Sequence, residues 1–423
     1  MEWTFTVRIV LAGSALLGLT GGVLGCFALL RRQSLLSDAL AHAALPGVCL
    51  AFLITGSKSP EVLLAGAMVA GVLGAFAILA VIRNSRIKED SAIGIILSVF
   101  FGAGIVLLTW IQKLPAGNQS GLDRFLFGQA ATMGTDDIRL LSVVAVLVLC
   151  AVVLFFKEFK LVSFDQGFGV SLGLPVKLLE FGLTALLVLV VVIGLQMVGV
   201  VLMVATLVTP AAAARQWTDR LGLMLLLSGG IGAVSGSVGA LASATLPRVP
   251  TGPAIVLVSS VILVFSLMLA PRRGMVWAML QDRQVERRIR RENLLKDLYL
   301  AGERGTGFTS WVTLPILMGY RGLTGAGLLR SARRLVKNSH LERSGDQLRL
   351  TVEGIREAAK VVRKHRLWES YLSRRLELPP DHLHRDAEMM EHALSDEVVD
   401  DLDRRLGYPE CDPHGKPIPR EQS

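Results

Sequence analysis

Residues 61–82 read EVLLAGAMVAGVLGAFAILAVI, an apolar run whose one charged residue is the first. A helix needs about 20 such residues to cross the roughly 30 Å hydrocarbon core of a bilayer. Runs of the same kind cover 8–30, 39–56, 91–110, 138–156, 178–212, 221–247 and 253–270. The sequence therefore predicts a membrane protein built from many apolar helices.

Charge is concentrated at the other end of the chain. Hydrophobic residues make up 52% of the 423 residues, a high share for a soluble protein. Residues 271–423 nevertheless hold 28 of the 44 Lys and Arg and 23 of the 35 Asp and Glu. We therefore expect a membrane domain over 1–270, a basic linker over 271–285 and a soluble region after it. We expect the run 8–30 to be a retained first helix rather than a cleaved signal peptide.

Basic loops indicate the orientation of the helices, because Lys and Arg are enriched on the cytoplasmic side. Such loops lie at 83–90, at 157–177 and at the start of the charged region. The run 178–212 is too long for one ordinary span. Two short helices there give nine crossings, an external N-terminus and a cytoplasmic C-terminal region. The alternative has eight crossings and one re-entrant piece.

Two ionisable residues stand inside an apolar helix, in the stretch SDALAHAALPG at 37–47. Asp38 and His42 are four residues apart and so share a helix face, and ionisable groups are costly in a bilayer. A carboxylate oxygen and an imidazole nitrogen together suit manganese, iron or zinc. The alternative is that Ser37 or Asp38 caps the helix while His42 packs against its neighbours. Pro46 and Gly47 then break or kink the helix.

The stretch FDQGFGVSLGLPVKLLEF at 164–181 predicts a short amphipathic helix. We expect this helix to fit a groove on a partner protein, and the alternative is an ordinary surface loop. The apolar residues that carry the first interpretation are Phe164, Phe168, Val170 and Leu172, followed by Gly173 and Pro175. The sequence has no GxxxxGK[ST] phosphate-binding motif, so ATP-driven work needs a separate ATPase subunit.

The charged region begins with a pattern typical of a winged helix. Helices are predicted over 285–305, 310–320 and 323–338, and a hairpin over 340–351. We therefore place a winged-helix-like domain at 286–350. Its third helix is basic, which suits a DNA groove, an ordinary solvated face or a surface near anionic lipid. The basic residues are Arg330, Arg333, Arg334 and Lys337.

Histidines cluster in the last part of the chain, where 365–414 holds five of the seven. His365 and Glu369 are four apart. If 382–392 is helical, His384, Glu388 and Glu391 share a face that His392 borders. Mixed nitrogen and oxygen ligands at this spacing predict a metal-binding face, and the alternative is a polar helix with surface histidines. We place this domain at 351–423.

The membrane region resembles the ABC-3 family of permeases, which serve ATP-driven manganese, zinc and iron importers. The resemblance rests on 34–56, 164–181, 198–236 and 250–260. It implies that Asp38 and His42 are metal-pathway ligands. It also implies a bacterial cytoplasmic membrane location, an ABC ATPase, an extracytoplasmic metal-binding protein and a second permease copy or a sister permease. The ATPase-docking residues implied are Phe164, Asp165, Phe168, Gly173, Leu174 and Pro175.

The stretches 350–372 and 384–419 resemble the metal-binding and dimerisation domain of the diphtheria-toxin-repressor family of iron- and manganese-dependent regulators. By this resemblance His365, Glu369 and His384 form an ancillary metal site, and Glu388, Glu391 and His392 form another. A glutamate at 388 is typical of manganese-type members. Asn293 and Lys296 stand where the family draws further ligands, and a protonated lysine is not a ligand. The match over 319–338 is poor, which argues against DNA as the main partner.

Together these patterns predict an all-α polytopic membrane bundle of 8–9 transmembrane helices, followed by a winged-helix-like domain and a helical metal-binding and dimerisation domain. The predicted function is that of a non-enzymatic permease subunit of a divalent-metal importer, with manganese favoured over zinc or iron. Its cytoplasmic tail would sense the metal, and we expect no bound nucleotide. The alternative is a membrane-anchored, metal-dependent transcription regulator.

Overall fold

The computed structural model describes residues 5–113, 133–246, 248–271, 273–321, 325–376, 388 and 390–420. The chain divides into two compact units, Met1–Ala278 and Met279–Ser423. We refer to them as the membrane unit and the tail unit.

The membrane unit consists of helices. In chain order they are α1 Phe5–Leu30, α2 Leu36–Thr55, α3 Pro60–Asn84, α4 Glu89–Gln112, α5 Thr135–Leu154, α6 Phe156–Phe164, α7 Gln166–Ser171, α8 Val176–Val198, α9 Val200–Trp217, α10 Leu221–Thr245 and α11 Thr251–Leu269.

Within the described ranges, eight of these helices are long and apolar enough to cross a membrane. They are α1 to α5, α8, α10 and α11. The long run 178–212 is divided into α8 and α9 at Gly199, whose φ of 86° is a conformation that glycine tolerates without a steric penalty. The predicted polytopic helical bundle and the two helices of this run are confirmed.

Glycines let the helices of the membrane unit touch through their backbones. A Cβ on Gly18 of α1 would lie 2.0 Å from the carbonyl oxygen of Gly232 on α10. A Cβ on Gly47 of α2 would lie 2.2 Å from the carbonyl oxygen of Gly66 on α3. Such close approach between membrane helices requires small residues. Any larger side chain at these four positions would push the helix pairs apart.

The tail unit combines helices with one small sheet. Its elements are α12 Met275–Ala301, a π-helical turn Gly302–Thr306, β1 Val312–Thr313, α13 Leu314–Arg321, α14 Gly325–Lys337, β2 Leu341–Ser344, β3 Gln347–Leu350, α15 Val352–Leu376 and α16 Asp396–Arg405. The antiparallel sheet has the order β1-β3-β2. Helices α12 to α14 with the β2–β3 hairpin form the predicted winged helix.

Three local expectations for the tail differ from the structure. The segment 271–285 is helical from Met275 onward, because α12 continues through it. Residues 312–313 form a strand rather than the start of a helix, since they pair with β3. Residues 391–393 form a turn, so Glu391 and His392 do not continue a helical face from residue 388.

Helix α15 joins two apolar cores of the tail unit. Its first half contributes Ala358 and Val362 to the core under the winged helix. Its second half contributes Leu367 to a smaller core with α16. Between them, the buried Arg366 makes two hydrogen bonds to the carboxylate of Glu303, 2.9 and 2.6 Å long. The charged residues on this part of α15 are therefore held rigidly, with little freedom to reorient.

Candidate functional site

Asp38 and His42 lie on the first two turns of α2 and contact each other. The distance from His42 Nε2 to Asp38 Oδ1 is 3.3 Å. If one ion were bound to both atoms at about 2.1 Å, the angle Oδ1–ion–Nε2 would be roughly 104°, close to the tetrahedral value. The side chains are partly exposed, 14% for His42 and 29% for Asp38. The pair can thus be reached from outside the bundle while it is held by its helix.

The second nitrogen of His42 is buried. No described residue forms a hydrogen bond with Nδ1. The imidazole ring stands edge-on to Phe101 of α4, with the ring centroids 4.6 Å apart. The aromatic contact fixes the plane of the ring and therefore the direction in which Nε2 points. An unpaired buried nitrogen is unusual in a native structure, so packing and hydrogen bonding leave the role of this histidine unexplained.

The capping interpretation of the pair is wrong. Helix α2 starts at Leu36, and Leu35 at the N-cap position makes no side-chain capping hydrogen bond. Ser37 Oγ is buried and has no hydrogen-bond partner among the described residues. Pro46 lies within α2, which continues to Thr55. The contact between Gly47 and Gly66 holds this part of α2 against α3.

A second polar group lies where α1 ends and α8 begins. Arg31 Nη2 donates a hydrogen bond of 3.0 Å to Glu180 Oε1. The side chains are 7% and 21% exposed, so the pair is largely buried. Gln166 of α7 donates to the same carboxylate at 2.7 Å. Arg31 and Glu180 line a cavity of about 340 Å³ together with Gln33 and Glu89, which are hydrogen-bonded to each other.

The residues predicted to dock on an ATPase form a compact projection, α6–α7 with the turn after it. Asp165 separates α6 from α7 and caps α7 by accepting a 2.9 Å hydrogen bond from the backbone N–H of Phe168. Phe164 and Phe168 are 58% and 53% exposed. Gly173 has a φ of 76°, which allows the tight turn that follows. Leu174 is half-buried beside it, and Pro175 precedes α8.

The tail brings His365 between two carboxylates on opposite sides of its ring. Nε2 lies 3.1 Å from Glu369 Oε1, and Nδ1 lies 2.6 Å from Glu391 Oε2. Burial alone would lower the pKa of His365, but the two carboxylates raise it above its ordinary value. Lys296 of α12 reaches the same place and lies 2.7 Å from Glu391 Oε2. The imidazole ring therefore lies between the two carboxylates, with one nitrogen facing each of them. The two carboxylates do not meet at a single nitrogen.

His392 forms a second group with the start of the tail unit. Nδ1 lies 2.6 Å from Glu292 Oε2, and Nε2 lies 3.1 Å from Asn293 Oδ1 and 3.4 Å from Glu391 Oε1. Burial would raise the pKa of Glu292, but hydrogen bonds from His392 and Arg288 lower it. When Nδ1–H donates to Glu292, Nε2 is left as a ligand facing two oxygens. A carboxylate that orients a ligating histidine in this way is common at metal sites.

Two further residues were predicted as tail ligands, His384 and Glu388. His384 lies outside the described residues. Glu388 is described and half-buried. Within the described residues, no three His, Cys, Asp or Glu side chains converge as metal ligands. The candidate site at His392 therefore depends on the amide oxygen of Asn293 as one of its donors.

A basic cavity of about 450 Å³ lies between α12 and α14 of the tail unit. Its charged residues are Arg287, Arg290, Arg291, Arg330, Arg333, Arg334 and Lys337. Like charges at this density repel one another, so the cavity is suited to a ligand with several negative charges. The four residues predicted as a basic helix face therefore belong to a concave surface shared with α12.

Comparison with known proteins decides the class of the membrane unit. Residues 3–270 match the model described as the ABC 3 transport family. The chain belongs to the ABC 3 transport family. Residues 351–420 match a second model, described as "Iron dependent repressor, metal binding and dimerisation domain". Both predicted resemblances are confirmed.

Individual relatives of this ABC 3 protein carry transport names. The manganese transport system membrane protein MntC of Bacillus subtilis (strain 168) is 46% identical over 370 residues, which cover 87% of this chain and 84% of that protein. The zinc transport system membrane protein TroC of Treponema pallidum (strain Nichols) is 47% identical over 281 residues, 66% of this chain and 94% of that protein. The first alignment is longer than the membrane unit and so extends into the tail.

A solved structure supports the fold of the ABC 3 unit. PsaBC from Streptococcus pneumoniae in complex with Fab is 34% identical to this chain, with a TM-score of 0.57. The similarity covers 64% of this chain and 93% of that one. The family match contains Asp38, His42 and the docking projection, and the repressor match contains His365, Glu391 and His392. Helix α12, with Asn293 and Lys296, lies in neither match.

Sequence reasoning missed two features of these sites. It did not pair Glu180 with Arg31, 149 residues away. It did not consider Glu292 at all. The sequence does contain a signal for the Arg31–Glu180 pair. Each of these residues lies at the end of an apolar run, where an unpaired charge is energetically costly.

Proposed function

We propose that this ABC 3 protein is the permease subunit of an ATP-driven importer of divalent transition metal ions, with manganese as the first candidate. Zinc and iron are the other candidates. The manganese and zinc names of its relatives support this choice of substrate. The chain itself is then not an enzyme, and a separate ABC ATPase hydrolyses ATP. An extracytoplasmic metal-binding protein delivers the ion, and a second permease copy or a sister permease completes the pathway.

The observation that carries the proposal is the Asp38–His42 contact inside a helix of the bundle. A carboxylate oxygen and an imidazole nitrogen 3.3 Å apart suit a transition metal better than Ca²⁺ or Mg²⁺, which prefer oxygen ligands. Two protein ligands hold an ion only moderately, which suits transport because the ion must leave again. Uptake of radiolabelled Mn²⁺ by cells with the whole transporter, in competition with unlabelled Zn²⁺ or Fe²⁺, tests the substrate. Absence of transporter-dependent Mn²⁺ uptake, or its complete suppression by an equal concentration of Zn²⁺ or Fe²⁺, would refute manganese as the substrate.

The order of the helices supports an orientation. If the N-terminus is external and α9 crosses as well as the eight longer helices, which gives nine crossings, then α1, α3, α5, α9 and α11 end at the cytoplasmic side. Arg31, Arg83 and Arg215 then lie at that side, as does the start of the tail. We therefore propose a multi-pass protein of the bacterial cytoplasmic membrane with a cytoplasmic tail. His42 then lies about 9 Å along α2 from its cytoplasmic end.

The docking projection supports a contact with the ATPase on that same side. Its exposed phenylalanines offer an apolar knob, and Gln166 links the projection to Glu180 and through it to Arg31. Movement of the projection on a partner would therefore pull on the ends of α8 and α1. We propose that this linkage transmits the ATPase cycle to the bundle.

We predict that Glu180→Ala destabilises the membrane unit by about 3 kcal/mol, because it leaves the guanidinium of Arg31 buried without its acid. Thermal unfolding of the purified protein in detergent measures this change. The matched control is Asp136→Ala, which breaks an exposed pair with Arg139 and should have no measurable effect. Equal stability of Glu180→Ala and wild type would show that the buried pair contributes nothing.

We propose that the tail binds the transported metal and reduces uptake when the cytosol is replete. The donors that support this are His392 Nε2, Asn293 Oδ1 and Glu391 Oε1, which has no hydrogen-bond partner among the described residues. Glu388 is a further candidate ligand, and His365, Glu369 and His384 remain the proposed ancillary set. A metal bound there would join α12 to the turn at 391–393, and pairing of two tails would follow the dimerisation role in the family description.

Removal of the tail provides the test of this feedback. We predict that cells with a chain cut after residue 280 accumulate more metal in metal-rich medium than cells with the whole chain. In metal-poor medium the two chains should differ little, because the metal-free tail exerts no restraint. Equal accumulation in metal-rich medium, at equal amounts of protein in the membrane, would exclude feedback by the tail.

The basic cavity between α12 and α14 favours a second candidate function, that of a membrane-anchored regulator that binds DNA. Seven cationic residues line it, and phosphates are the usual partners of such a surface. The family match of residues 3–270 favours the permease. A mobility-shift assay with the full-length protein in detergent, Mn²⁺ and promoter fragments separates the two. Sequence-specific retardation would establish the regulator, and salt-sensitive binding without sequence preference would not.

A further inference from the structure

The buried triangle formed by Lys296, His365 and Glu391 bears on how the tail responds to metal. Lys296 Nζ lies 3.0 Å from His365 Nδ1 and 2.7 Å from Glu391 Oε2. The remaining side, from His365 Nδ1 to Glu391 Oε2, is 2.6 Å. The side chains of Lys296 and Glu391 are 2% and 0% exposed. Helix α12, helix α15 and the turn at 391–393 therefore meet at one position that is shielded from solvent.

The charges at this point require a cation. A buried carboxylate without a compensating positive charge is strongly unfavourable. Burial would raise the pKa of Glu391, but His365 and Lys296 together lower it below its ordinary value. Lys296 brings an amine into this core from α12, within 3.0 Å of both other groups. Lys296 and His365 together satisfy Oε2 of Glu391, while Oε1 has no hydrogen-bond partner among the described residues.

The same geometry leaves no place for a metal at these two atoms. An ion bound to His365 Nδ1 and Glu391 Oε2 would lie about 2.1 Å from each. The ammonium nitrogen already lies within 3.0 Å of both atoms. A metal and an ammonium group cannot share that position, because both are cations that require the same lone pairs. The residues present here do not fit a bound metal, although the repressor-like match includes two of them.

We propose that Lys296 is a built-in cation that takes the place of a metal ion between His365 and Glu391. It holds α12 against α15 and the turn at 391–393 whether or not metal is present. The response of the tail to metal is then confined to the neighbouring His392 group, where Asn293 offers a neutral oxygen, and the ancillary set at His365 proposed above gives no response. This inference rests on the tail function proposed above and refines it. It concerns how many metal ions the tail binds, not whether the permease transports one.

The test uses the full-length protein in detergent, stripped of metal, with His392→Ala in every sample so that the neighbouring site is disabled. Backbone amide hydrogen exchange over 361–369 of α15 is measured with and without Mn²⁺. With Lys296 present, exchange should be the same in chelator and in Mn²⁺. With Lys296→Gln, exchange without metal should be faster by about 100-fold. Mn²⁺ should then slow it again by at least about 10-fold, because the vacated position accepts the ion.

A matched control is Lys360→Gln, which removes a half-exposed lysine of α15 just before the measured segment and should change exchange little. If Lys296→Gln unfolds the tail, the pair Lys296→Met with Glu391→Met should restore protection, since an apolar pair can replace a buried ion pair.

Three results would overturn the proposal. One is metal-dependent exchange while Lys296 is present. The second is unchanged exchange in Lys296→Gln, and the third is failure of both Mn²⁺ and the methionine pair to restore protection. Metal uptake, measured separately, reports on the permease proposal, so failure of one is distinguishable from failure of the other.

Discussion

Cells that carry Asp38→Ala or His42→Ala in the otherwise intact transporter are expected to lose manganese uptake by about 100-fold or more. Loss of a group that only orients a metal ligand already costs 10- to 100-fold in affinity, and these two side chains are the proposed ligands themselves. Each variant leaves only one of the two proposed metal ligands in α2. A single ligand cannot retain the ion, because water molecules coordinate it equally well. The measurement is initial uptake of radiolabelled Mn²⁺ at equal amounts of protein in the membrane.

Ser37→Ala is the matched control for these two variants. Ser37 lies beside Asp38 on α2, is buried, and has no hydrogen-bond partner for its hydroxyl among the described residues. Loss of the Ser37 hydroxyl removes no charge and breaks no hydrogen bond among the described residues. Uptake should therefore stay within about twofold of wild type. Retained uptake in both Asp38→Ala and His42→Ala would leave the pair without a transport role. Equal loss in Ser37→Ala would mean that α2 is merely sensitive to substitution.

The second large effect concerns the docking projection. Phe168→Ala should weaken association with the ATPase subunit by about 30-fold, the equivalent of about 2 kcal/mol for a buried aromatic anchor. Phe168 is more than half exposed, and its backbone N–H is held by the cap from Asp165, so its side chain is presented to a partner. Co-purification of the ATPase and stimulation of its hydrolysis measure the loss.

Phe265→Ala provides the comparison, because Phe265 is an equally exposed aromatic on α11, away from the projection. ATPase association should be unaffected by it. Should Phe168→Ala retain full association while uptake is also unchanged, the projection would be an ordinary surface turn. Phe164→Ala, one turn earlier, is expected to act in the same direction.

The sequence predicts those features of this protein that depend on local pattern. Span length and hydropathy locate the membrane helices, and Gly199 divides 178–212 because a glycine tolerates the positive φ that the turn requires. The spacing of Asp38 and His42 predicts their contact, since residues four apart share a helix face. The hairpin at 340–351 follows from its central Ser-Gly-Asp and is observed as β2 and β3.

Features that depend on distant residues could not be predicted in this way. Arg31 and Glu180 are brought together only by packing of α1 and α8. Lys296 was recognised as unsuited to bind metal, but its insertion between His365 and Glu391 is a property of the folded tail. The helix expected through 391–392 is a turn, because this segment packs around α15 through Leu394 instead of continuing as a helix.

The most direct test of the central proposal is whether Mn²⁺ binds to His42. Pulsed electron paramagnetic resonance of Mn²⁺ bound to the full-length protein in detergent detects coupling to a histidine nitrogen. The Asp38–His42 geometry predicts that one such coupling disappears in His42→Gln and remains in Ser37→Ala. An identical nitrogen signal in wild type and His42→Gln would contradict the assignment of Asp38 and His42 as metal ligands in the transport pathway.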